Sequence, residues 1–256
     1  MGRFDNICFS SSEDEWYLSS DDEEYAGDDC GLSLEKLNIG PRKKLLVLGL
    51  GGLLCHRVHR RVWSMTRYGK SDVSYGNFFV YKRPYCEEFM EFCLENFEVG
   101  IWSSAREWNL DSALDSIMKG LKSKLVFAWD QDECTDSGFK TLENKRKPVF
   151  LKELKKLEKL RIQYSATNTL LIDGNPYKAL LNPPYTAIFP NEYETDQVGE
   201  DSLGPRGDLR LYLEGLSDAD DVPSYVKDHP FGQPAITPTH SDWDFYSEII
   251  RHLQED

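Results

Sequence analysis

The sequence predicts an α/β fold: a central, mostly parallel sheet with helices on both faces. Short apolar runs of strand length recur at 44–50, 97–102, 125–129, 168–173 and 187–190. Between them apolar residues fall at helical spacing, as in Tyr85, Phe89, Phe92, Cys93 and Phe97. The first run, Leu45-Leu46-Val47-Leu48, opens directly into Gly49-Leu50-Gly51-Gly52, the form of a buried strand ending in a loop at its carboxyl edge. Strands that alternate with helices pair in parallel. In such sheets ligands bind beyond the carboxyl ends of the strands, so the site is expected beside Gly49–Gly52.

The remaining elements follow the same logic. Two β-rich runs around a polar, Gly-containing stretch (Gly69, Gly76) predict a hairpin flap between 56 and 81, inserted after the first strand. Pro84 suits the first turn of a helix over 85–97. Asn109 to Met118 is a second amphipathic helix, and 130–147 reads as a polar loop. Leu151 to Leu160 reads as a short helix, and the stretch up to Pro183-Pro184 as irregular chain. Residues 191–207 read as loop, Leu209 to Leu216 as a packed helix, 227–241 as extended chain, and Trp243 to Leu253 as a terminal amphipathic helix. Residues 1–38 are Ser-rich and acidic. Such a composition is expected to stay disordered because it buries too little apolar area to offset its ordering entropy. Residues 39–256 form the domain.

Composition narrows the function classes. The formal net charge of −14 over 256 residues argues against a general nucleic-acid binder, which needs a basic face. It suits a basic protein partner and equally serves solubility. No run of about 18 apolar residues marks a transmembrane helix. The six cysteines include no C-x-x-C pair and no zinc-ligand spacing, and reduced thiols are expected. The acidic start resembles neither a secretory signal nor a mitochondrial transit peptide. A monomer in the nucleus or cytoplasm is the expectation.

The motifs then fall in a specific order. A strand ends in G-L-G-G-L-L; a second ends in W-S-S-A; a lysine lies in F-L-K-E-L; a further strand ends in L-L-I-D-G-N-P-Y-K-A-L-L-N-P-P. F-V-Y-K-R-P, W-D-Q-D-E-C-T and N-P-P-Y-T-A-I-F-P accompany them. Over 41–253 the chain resembles the haloacid dehalogenase (HAD) superfamily, with its Rossmann-like fold. More narrowly it resembles the FCP/SCP-type phosphatases of the RNA polymerase II C-terminal domain, in a plant-like form. The resemblance implies an Asp-x-Asp-x-Thr motif at the first strand end. There the first Asp attacks phosphorus, the second is acid and base, and Mg²⁺ is bound with an acid after the fourth strand.

Here those positions are Gly49, Gly51 and Leu53, which offer no nucleophile and no proton carrier. Cys55 lies past the turn and is not placed to replace Gly49. Asp173 matches the metal acid, but its usual partner position is Gly174. With only Asp173 and a Gly51 carbonyl, Mg²⁺ binding is expected to be weak or absent, and no cofactor is expected.

Ser103 and Lys152 match the residues that hold the phosphoryl group. Each also has a plainer reading, as a turn cap and a helix-surface lysine. Arg57, Arg60 and Arg61 on the flap, with Arg83 near the entrance, form a candidate docking surface for an acidic or phosphorylated segment, or simply a solvated hairpin face.

The leading expectation is a catalytically inactive, phosphatase-like binding or scaffold domain for a protein or phosphopeptide partner. The alternatives are an active Mg²⁺-dependent phosphoprotein phosphatase, and a mitochondrial presequence-translocase component sharing the domain.

Overall fold

The computed structural model describes residues 43–63, 69–160 and 164–255, all within one compact unit. The segment 1–38, expected to be a disordered tail, lies outside the described residues.

The chain opens with β1 (Leu45–Leu48) and continues through β2 (Cys55–His59), the single turn α1 (Arg60–Trp63), β3 (Val73–Tyr75) and β4 (Phe78–Lys82). Next come α2 (Cys86–Asn96), β5 (Glu98–Trp102), α3 (Glu107–Ile117) and β6 (Phe127–Trp129). A hairpin of β7 (Thr135–Lys140) and β8 (Pro148–Leu151) precedes β9 (Thr169–Ile172) and β10 (Ala187–Ile188). Three helices follow: α4 (Asp208–Asp218), α5 (Val222–Asp228) and α6 (Trp243–Glu255).

The central sheet has five strands in the order β10-β9-β1-β5-β6, all parallel. β1 sits in the middle with every residue buried, which is why its sequence is an unbroken apolar run and not an alternation. Its side chains still divide by face. Leu46 and Leu48 join the core formed with Phe89, Leu110, Leu114, Leu209 and Leu213 from α2, α3 and α4. Leu45 and Val47 point the other way, towards Trp102, Phe127 and a 3₁₀ segment carrying Leu154 and Leu157. The predicted flap is a three-stranded antiparallel sheet, β2-β4-β3. It is seated on α3, where Trp108 meets Tyr75 edge-on with ring centroids 5.6 Å apart.

Three segments differ from the sequence reading. The polar loop expected over 130–147 contains β7, which pairs antiparallel with β8. Its polarity reflects an edge strand whose Ser137 hydroxyl donates to the Val149 carbonyl at 2.8 Å. The helix expected from Leu151 is instead the end of β8 followed by a 3₁₀ segment over Leu154–Lys159. Val149 and Leu151 are buried by the strand alternation of β8, and its extended end carries Lys152 into the interior. Within the stretch read as extended from 227, Lys227 and Asp228 close α5. That helix is started by Asp221, whose carboxylate accepts from the Ser224 amide at 2.9 Å. Among the described residues no helix is long and apolar enough to cross a membrane.

Candidate functional site

The carboxyl ends of β1, β5 and β9 and the turn after β8 enclose a cleft of about 370 Å³. Its wall includes Gly51, Gly52, Ser103, Lys152, Asn175 and Lys178, with Arg57 and Glu192 at the mouth. The parallel register puts Leu48 beside Ile101 and Ile172, so the residues that follow each strand, Gly49, Ser103 and Asp173, arrive at one edge.

At the floor lies a buried cluster of charge. Lys152 Nζ is 2.5 Å from Asp173 Oδ2 and also donates to the Trp102 carbonyl. Lys178 Nζ lies 3.0 Å from Oδ1 of the same carboxylate and 3.2 Å from Oδ2. The Asn175 amide donates to Oδ1 at 3.0 Å. All three ionic side chains are less than a tenth exposed. Burial alone raises the Asp173 carboxyl, but the ammonium charges of Lys152 and Lys178 outweigh it and hold the group at about 2. Burial lowers Lys152, and Asp173 only partly opposes this because Lys178 adds to it. Burial also acts to lower Lys178, but the Asp173 carboxylate prevails and raises it. The cluster thus sets two lysine side chains against one carboxylate, while Glu192 and Glu194 line the same cleft.

The glycines explain how this cluster fits. A β-carbon on Gly49 would stand 2.8 Å from Asp173 Oδ2, so the carboxylate lies in space that a side chain at 49 would claim. A β-carbon on Gly174 would stand 2.5 Å from Glu192 Cγ, and one on Gly52 2.8 Å from the same atom. Glu192 therefore packs over two bare backbone positions and accepts from Asn175 Nδ2 at 2.5 Å. Gly51 is different: a β-carbon there meets nothing within 4 Å.

The other residues singled out from the sequence are distributed as follows. Ser103 is buried at the cleft edge, and its Oγ accepts from the Ala105 amide at 3.1 Å, capping the turn. Arg57 reaches the cleft with its guanidinium 5.0 Å from the Phe78 ring centre. Arg60 lies over Phe79 at the same separation on the far end of the flap, and it and Arg61 are exposed in α1.

Arg83 does not line this cleft; it borders a second one, with Glu200, Arg206 and Asp208. It is buried, pairs with Glu200 at 2.8 Å and donates to the Leu53 carbonyl at 3.3 Å. Cys55 is fully buried, and burial pushes its thiol up to about 12 against the pull of Arg57; no thiolate is available there. His56 is held below its ordinary value by burial, against the opposing charges of Glu194, Asp196 and Glu192.

Lys178, Asn175 and Glu192 were missed from the sequence. Lys178 had a signal: it is a lone charge in the apolar run Tyr177-Lys178-Ala179-Leu180-Leu181, just beyond a strand end.

The donors present do not fit Mg²⁺. The ion needs carboxylate oxygens with free lone pairs. Both Asp173 oxygens already accept N–H groups from Lys152, Lys178 and Asn175, which fills the roughly four sites a carboxylate offers. Among the described residues no three His, Cys, Asp or Glu side chains are grouped to hold a metal.

A parallel sheet with a flap after its first strand thus brings Lys152, Lys178 and Asp173 together at the strand ends. The chain belongs to the NLI interacting factor-like phosphatase family, whose sequence profile matches residues 44–223.

Among solved structures it is similar to Fcp1, an essential RNA polymerase II CTD phosphatase, with 15% identity and a TM-score of 0.40 over 83% of this chain and 63% of that one. The fission yeast RNA polymerase II CTD phosphatase Fcp1, in a variant bound to beryllium fluoride, matches at the same 15% identity, TM-score of 0.40 and coverage of 83% and 63%. The chain thus spans under two thirds of the length of these structures. No curated protein matches it.

Proposed function

We propose that this chain is a phosphatase-fold protein that holds phosphoryl groups without cleaving them, acting as a binding or scaffold domain for phosphorylated Ser/Thr segments of a protein partner. One observation carries the reading: Asp173 occupies the space left bare at Gly49 and is committed to Lys152 and Lys178. A phosphatase of this type needs a carboxylate nucleophile at that strand end and a second acid to protonate the leaving group. Gly49 and Gly51 supply neither. What remains is a cleft with Lys152 and Lys178 at its floor, Arg57 and Lys147 in its wall and Ser103 at its edge, beside Glu192 and Glu194, and the lysine and arginine donors suit a tetrahedral oxyanion. The chain is expected to act in the nucleus or cytoplasm as a monomer.

The test is hydrolysis of p-nitrophenyl phosphate and of a phosphoserine peptide in excess Mg²⁺, beside calorimetric titration of the same peptide. Binding with no turnover above a blank supports the reading. Turnover that is lost in Asp173→Asn overturns it.

A further inference from the structure

We infer that Lys178 is the resident cation of the cleft: its ammonium group takes up Asp173 oxygens that a divalent metal would need, so anion binding here is metal-independent and metal is kept out. The inference rests on the anion-holding reading above and deepens it.

The position is built rather than incidental. Lys178 lies in a 3₁₀ turn over Pro176–Ala179, a few residues beyond Asp173. Its carbonyl accepts from the Lys152 amide at 2.7 Å, so the two lysines are joined through their backbones and their ammonium groups keep a fixed relation to one carboxylate. An ammonium group has three donors. Among the described residues, those of Lys178 meet only the two oxygens of Asp173, and its side chain lines the cleft. Lys152 spends two donors, on Asp173 and the Trp102 carbonyl, and also lines the cleft. Donors from two buried cations are therefore left for one incoming oxyanion.

A covalently held +1 charge differs from a bound metal in two ways. No chelator removes it, and it presents no coordination sphere through which water is activated. It does neutralise a phosphoryl group, and charge-assisted hydrogen bonds to such oxygens are the strong ones. The same ammonium group takes two of the roughly four lone-pair sites of Asp173 that a metal would use. One residue thus does both jobs.

The experiment uses the full chain and two probes. Inorganic phosphate is titrated calorimetrically in EDTA and in excess Mg²⁺, and Mn²⁺ binding is read by electron paramagnetic resonance. The wild type is expected to bind phosphate equally in both buffers and to leave the free-Mn²⁺ spectrum unchanged. Lys178→Met should weaken phosphate by about tenfold, or about 1.4 kcal/mol, and should gain a bound-Mn²⁺ signal that disappears in Lys178→Met/Asp173→Asn. Lys178→Arg keeps the charge and should keep Mn²⁺ out, which separates the ammonium charge from a general loosening of the fold.

The inference fails if the wild type binds Mn²⁺ in a way abolished by Asp173→Asn, or if Lys178→Met gains no Mn²⁺ site. If the wild type binds no phosphate in either buffer, the anion-holding function fails, and the Mn²⁺ spectra still decide whether Lys178 excludes metal.

Discussion

Gly49 and Asp173 compete for one position: a β-carbon added at 49 would lie 2.8 Å from Oδ2 of Asp173 and 3.3 Å from the Ile172 carbonyl. The first neighbour is held by two lysines and the second is backbone in the adjacent strand, so neither yields freely. Gly49→Ala should therefore cost about 1–3 kcal/mol, the usual range for overpacking. Gly51→Ala, with open space around its β-carbon, should stay within about 0.5 kcal/mol of wild type. Urea unfolding of the two variants checks the contrast.

Removing the carboxylate exposes what it balances. Asp173→Ala leaves Lys152 and Lys178 buried side by side without a counter-ion. Breaking a buried pair in this way costs about 3–5 kcal/mol, and the thermal midpoint should fall accordingly. Asp173→Ala/Lys178→Met, which removes one of the stranded charges, should recover part of the loss.

The same carboxylate sets an acid limit. The two lysine charges hold it at about 2 in the fold, against about 3.9 for an ordinary Asp. A carboxyl depressed on folding adds stability that is fully present above its unfolded value and is lost as pH falls through the folded one. A shift of this size corresponds to about 2 kcal/mol, lost between about pH 4 and about pH 2. Acid unfolding of the wild type, compared with Asp173→Asn in which this titration is absent, measures it.

Arg83 carries a stability prediction. Its guanidinium joins the end of the flap to the loop that carries Glu200. Arg83→Met strands that carboxylate and the Leu53 carbonyl. A loss of about 3 kcal/mol is expected, with faster proteolytic cleavage between 191 and 207. Phosphate affinity should change little, since Arg83 does not line the cleft.

The strands that build the site were readable because buried parallel strands are continuous apolar runs, as in Leu45–Leu48 and Thr169–Ile172. The β7–β8 hairpin was hidden by its own edge: Thr-Asp-Ser-Gly-Phe-Lys presents one half-solvated strand whose pattern is that of a loop. The F-L-K-E-L motif marks Lys152, but its local pattern reads as a helix. Its true backbone is the extended end of β8, and only there does the side chain reach Asp173. Glu192 packs into space that Gly52 and Gly174 leave bare, and Lys178 acts through Asp173, which fills the space left at Gly49. A reading along the chain names the glycines but not their tenants.

The pairing of Leu45 with Thr169 also has a consequence for how the protein is made. The central strand is synthesised first, but one of its two neighbours emerges more than a hundred residues later. Until then β1 has an open flank of unpaired amide and carbonyl groups on a wholly apolar strand, the kind of edge that recruits foreign strands. Such distant pairing is slow to form. The cleft is thus a late product of folding, and while the chain is still on the ribosome β1 is the segment a chaperone has most reason to shield.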